Sequence, residues 1–137
     1  MTRIDKYPDT DVFHYHNQNP HNRITTDCVI RALSLVTNTP YNTVVMDLAA
    51  IQCKTGYDDA EPRVFGRYLE SKGFRKMPQP RKSNGKKYTG KEFCKLNPSI
   101  TCYAHIGGNH DTAIINGKIF DIWDCSGGCI GNYWIKD

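Results

Sequence analysis

Gly107-Gly-Asn-His-Asp-Thr-Ala-Ile-Ile-Asn-Gly-Lys-Ile-Phe-Asp-Ile-Trp-Asp124 is the stretch whose reading decides the fold. Asn116-Gly117 is a strong two-residue hairpin signal, because both positions of the tight turn require positive φ. It joins a strand over Thr112–Ile115 to one over Lys118–Trp123. A two-residue turn sets the register: Ile115 faces Lys118, Ile114 faces Ile119, Thr112 faces Asp121 and His110 faces Trp123. Alternate residues of a strand share a face, so His110, Thr112 and Ile114 stand with Ile119, Asp121 and Trp123. Asp121 is diagonal to His110 and within reach of its ring. Asp124 points to the opposite face, and a slip of one residue would exchange the two acids. Asp121 is therefore read as the partner of His110, with Asp124 as the alternative.

Outward from the hairpin, Ile100, Cys102, Ala104 and Ile106 alternate as a preceding strand, and Ile130–Ile135 reads as a following one. Upstream the pattern is helical. Val29, Ile30, Leu33 and Val36 define a helix from Thr26 or Asp27, with either residue as N-cap. A second helix follows Thr39-Pro40 and ends near Thr55-Gly56. A third follows Glu61-Pro62 and stops at Gly73. Phe74–Met77 is a short strand, and Thr89-Gly-Lys-Glu92 is a capping box for a fourth helix through Leu96. About four helices followed by an antiparallel sheet predict an α+β domain over residues 27–137. Residues 1–26 are polar and read as an extended arm. Its histidines, His14, His16 and His21, are read as surface residues.

Cys28 lies in the first turn of the first predicted helix. A helix N-terminus and a neighbouring imidazolium both favour the thiolate form of a cysteine. A thiol at a helix start, a histidine at the head of a strand and an acid on the next strand is the order a cysteine nucleophile needs. The backbone N–H of Cys28 can serve a developing oxyanion, and Asn22, six residues upstream, supplies a side-chain amide as second donor.

The 137 residues, 39% hydrophobic and 23% charged, fit one globular domain rather than a disordered chain. No apolar run approaches the roughly 18 residues of a membrane span. The charged N-terminal residues show no secretory signal, which predicts a cytoplasmic chain with free thiols. Cys125 and Cys129 have no second pair at ligand spacing, so neither a metal nor a cofactor is expected. The net charge of +4 is concentrated between Lys72 and Lys95, where nine basic residues face one acid, Glu92. Arg81, Lys82, Lys86 and Lys87 form its centre. It reads as a solvated loop or as a contact for an acidic protein or nucleic acid.

The series Asn22, Cys28, His110, Asp121 resembles the papain-like cysteine peptidase superfamily. Asn19-Pro20, Asp27–Ala32 and His110–Ser126 resemble small phage-encoded papain-like proteins more closely. The resemblance implies a helical lobe packed on an antiparallel sheet, with Cys28 in the cleft between them. It implies a Cys28–His110–Asp121 triad with Asn22 at the oxyanion, acting on a protein or peptide substrate in the host cytoplasm. Asn22 stands where many relatives carry Gln, and Asp121 where papain carries Asn. The same residue order occurs in amidases, deamidases and transferases, so the order does not separate these reactions. The alternative is a catalytically silent phage scaffold that binds a host protein or nucleic acid through the basic loop.

Overall fold

In the computed structural model, which describes residues 1–137, the chain begins with α1 (Arg3–Lys6), β1 (Phe13–Tyr15), α2 (Cys28–Thr37), α3 (Tyr41–Thr55) and α4 (Pro62–Ser71). It continues with β2 (Phe74–Met77), α5 (Gly90–Leu96), β3 (Cys102–Ile106), β4 (His110–Ile115), β5 (Lys118–Asp121) and β6 (Ile130–Lys136). The fold is α+β, with five helices and one six-stranded sheet in the order β1-β5-β4-β3-β6-β2.

The hairpin register follows from its turn. Asn116 and Gly117 take φ of +49° and +70°, and the pairs Ile115–Lys118 and Ile114–Ile119 stand opposite one another. A side chain on Gly117 would meet the backbone of Pro98 at 2.8 Å, so glycine is required there for space as well as for φ. Gly107 and Gly108, both at positive φ, make the turn that brings β4 back along β3.

Two expectations are corrected. The sheet is mixed rather than antiparallel, because β1 pairs in parallel with β5, Tyr15 opposite Asp121. Residues 1–26 are thus not simply an extended arm: they supply an edge strand and a short helix, α1, closed by a Thr2–Asp5 capping box. Phe13 is fully buried and Val12 nearly so. Two apolar residues among His, Asn and Asp are too few to show a period, so only tertiary packing reveals the strand.

Alternation along β3 and β4 builds two cores. Tyr103 and Ala113 face one way and pack with Val29, Leu33, Val44, Leu48, Val64 and Leu69 of the helices. Cys102, Ala104, Ile106 and Ile114 face the other way and pack with Phe13, Ile119, Ile130 and Phe93 of α5. Thr89 and Glu92 form the reciprocal capping box that starts α5. No helix is long and apolar enough to cross a membrane.

Candidate active site

Cys28 is the first residue of α2 and is half-buried. Asp27 holds the N-cap position but does not cap, contrary to the expectation from sequence. Its carboxylate turns inward and accepts from Arg31 Nε at 2.8 Å, Tyr41 Oη at 2.7 Å and Asn19 Nδ2 at 3.0 Å. Burial would raise the Asp27 carboxyl, but these donors hold it below the ordinary carboxylate value. The N–H groups of Cys28, Val29 and Ile30 consequently keep no protein acceptor and remain available at the thiol.

Each face of β4 supplies one member of a histidine–aspartate pair, completed by Asp121 of β5 on one side and His105 of β3 on the other. On one face, His110 Nε2 lies 2.6 Å from Asp121 Oδ2. Asp121 is 1% exposed and its oxygens are filled: Oδ2 also accepts from Thr112 Oγ1 at 2.6 Å. Oδ1 accepts from Arg31 Nη1 at 2.7 Å and from the Ile122 N–H at 2.7 Å. Burial would raise this acid, but the His110 and Thr112 hydrogen bonds and the Arg31 charge lower it. Burial also works against a charged His110. The Asp121 hydrogen bond and charge, together with the Cys125 and Cys28 thiols, outweigh it, and the imidazole is pushed up to about 11. The Trp123 ring lies 5.0 Å from the imidazole and walls it off.

On the other face, His105 Nδ1 lies 2.6 Å from Asp111 Oδ1, and Tyr103 Oη donates to Asp111 Oδ2. His105 and Asp111 line the same depression as Cys28, with Pro62, Phe65 and Asn109. The two histidines differ in one respect that decides their chemistry. His105 Nε2 is taken by the Gly108 carbonyl at 2.9 Å, so both its ring nitrogens are engaged. His110 makes a hydrogen bond only at Nε2, to Asp121, and its other titratable neighbours are the Cys125 and Cys28 thiols.

Of the residues expected at the site, the structure joins His110 to Asp121 directly, and Cys28 stands near enough to bear on the imidazole. The structure does not gather the others. Asp124 accepts from the Ser126 N–H at 3.0 Å, closing a turn away from the imidazole. Asn22 is exposed at φ +53°, its Oδ1 accepts from Asn17 Nδ2 at 3.4 Å, and it lines a separate depression with Thr2, Arg3 and Tyr15. The side-chain amide in the Cys28 depression is that of Asn109. Arg81 and Lys82 are engaged within their loop, Arg81 with the Gly85 carbonyl and Lys82 with Glu92 at 2.6 Å. Lys86 and Lys87 are exposed and form no ion pair.

Several site residues escaped the sequence. Arg31 has a helical spacing that suits the core face, and only its burial shows that it bridges Asp27 and Asp121. Cys125 is buried with Sγ 3.8 Å from Asp121 Oδ2, while Cys129 is exposed, so the C-x-x-x-C spacing brings no common ligand together. His110, Asp121 and Cys125 are close enough to share a cation. Asp121 is already met by five donors and burial raises the Cys125 thiol, so the donor set suits a proton better than a metal. His14 bonds Asp9 and His16 bonds Gln18, each at 2.6 Å, and both ring edges pack on Phe120.

Comparison with known proteins returns no matching family model, no matching curated protein and no matching solved structure.

Proposed function

We propose that the chain is a papain-like cysteine hydrolase, a peptidase or isopeptidase of the kind encoded by phages and acting in the host cytoplasm. The observation that carries this reading is the state of His110: Nε2 is held by a buried, saturated carboxylate, Nδ1 makes no hydrogen bond, and Cys28 is among the groups near enough to raise the imidazole.

An imidazolium on Asp121 places a cation next to the Cys28 sulfur, as a thiolate nucleophile requires. The sulfur attacks the substrate carbonyl carbon and forms the C–S bond. The carbonyl electron pair moves to oxygen, where the N–H of Cys28 at the α2 start meets the negative charge, with the Asn109 amide at hand in the same depression. Collapse breaks the C–N bond, and the leaving amine takes the proton from His110 Nδ1. The neutral imidazole then accepts a proton from water as that water attacks the thioester. The C–S bond breaks, a carboxylic acid departs and the thiolate–imidazolium pair is restored.

Acetylation by p-nitrophenyl acetate tests this reading. The chain is expected to release one equivalent of nitrophenol in a burst and to carry one acetyl group on Cys28 in a peptide mass map. Cys28→Ala is expected to lose both. An acetyl group scattered over lysines, or none, would favour the silent-scaffold alternative.

A further inference from the structure

The depression that holds Cys28 is one of three that meet at His105. Pro62, Phe65 and His105 line both it and a second depression floored by Trp134 with Lys76 in its wall. His105 also lines a third, walled by Lys87 of the basic loop. Because they share lining residues, we treat the three as one cleft. Among its lining residues the exposed charges are Lys76 and Lys87, which form no ion pair. Asp111 is the sole acid in the lining, and it is buried with its oxygens occupied by Tyr103 and His105. The basic loop, otherwise a surface feature, is therefore the distal wall of the cleft that starts at Cys28.

We propose that this cleft takes an acidic polypeptide segment, with its carboxylates toward Lys76 and Lys87 and an apolar side chain over Phe65 and Trp134. This identifies the substrate class of the proposed hydrolase and rests on that reading for the role of Cys28, though not for the binding itself. A polypeptide is favoured over nucleic acid because the cleft floor is a pocketed apolar surface, while the cations are confined to its walls. Free lysines steer and select an acidic chain more than they add to its affinity, so the signature is discrimination and salt dependence.

The test is fluorescence anisotropy of the Cys28→Ala chain with a fluorescein-labelled decapeptide of alternating Glu and Leu. Its Gln and Lys counterparts and a labelled oligothymidine are run alongside. The Glu peptide is expected to bind about tenfold more tightly than either counterpart and to weaken as salt rises. The preference is expected to disappear in Lys76→Glu/Lys87→Glu. Equal binding of the three peptides, absence of binding, or a preference that survives the double reversal would overturn the proposal. So would oligothymidine binding that exceeds the Glu peptide and displaces it, which would point to nucleic acid. Failure of the wild-type chain to form acetyl-Cys28 would remove the hydrolase reading and leave the binding result standing.

Discussion

Arg31 and Asp121 form a buried ion pair, Nη1 to Oδ1 at 2.7 Å, that ties α2, which begins at Cys28, to β5. The guanidinium also holds Asp27 at the N-cap of the same helix, so one side chain sets the distance between Cys28 and the His110–Asp121 pair. A planar guanidinium offers its donors to both carboxylates in a fixed geometry, where an ammonium is a compact point charge. Arg31→Met leaves two buried acids without their cation and is expected to cost about 3–5 kcal/mol in urea denaturation. Adding Asp27→Asn to Arg31→Met is expected to recover part of that loss. A loss below about 1 kcal/mol for Arg31→Met would show that the pair does not organise the site.

The His110–Asp121 contact also predicts how stability depends on pH. His110 sits at about 11 in the folded chain against an ordinary 6.5, so the folded form keeps a proton that the unfolded form releases. Its stabilisation is complete below about pH 6.5 and is lost as pH rises toward 11. Asp121 lies below its ordinary 3.8, so its contribution is present above that value and is lost as acid protonates it. The difference in unfolding free energy between the wild-type chain and His110→Gln is expected to shrink steadily from about pH 7 to about pH 10. A difference that stays flat over this range would contradict the raised imidazole.

Oxyanion stabilisation is expected to come from the α2 start and not from the upstream turn. Asn22→Ala is expected to leave the acetylation burst within about twofold, because its side chain lies in another depression. Asn109→Ala, in the Cys28 depression, is expected to slow the burst by about tenfold or more. The reverse order of effects, measured in stopped flow, would restore Asn22 to the site.

The N-terminal segment is expected to be structural. Phe13 is fully buried between β5 and the α5 side of the sheet, so Phe13→Ala is expected to destabilise the chain by about 3–5 kcal/mol. A neutral effect in thermal denaturation would return residues 1–26 to the role of a loose arm.

Local signals made most of this fold legible. The Asn116-Gly117 turn fixes the register, and the register places Asp121 rather than Asp124 beside His110. Thr89–Glu92 and Gly56 marked helix ends that recur in the structure. What stayed hidden depends on contacts between residues far apart in sequence. Arg31 meets Asp121 across 90 positions. Phe13 becomes a strand residue because β5 offers it an edge. Asp27 carries an N-cap signature, yet Arg31, Asn19 and Tyr41 outbid the helix for its oxygens. Asn22 has the spacing of an oxyanion donor, but its positive φ turns it onto the arm. His105 carries no local signal of a role, because its partner Asp111 faces it only after β4 folds back.

The central claim is that His110 activates Cys28, and competitive alkylation tests it most directly. Of the six cysteines, Cys94, Cys102 and Cys125 are buried, and burial raises each thiol, Cys94 to about 12. Cys53 and Cys129 are exposed and provide the internal standard. With limiting iodoacetamide near pH 7, Cys28 is expected to react about tenfold faster than Cys53 and Cys129, and the advantage is expected to vanish in His110→Ala. Equal labelling of Cys28, Cys53 and Cys129, or a Cys28 advantage that persists in His110→Ala, would contradict the account.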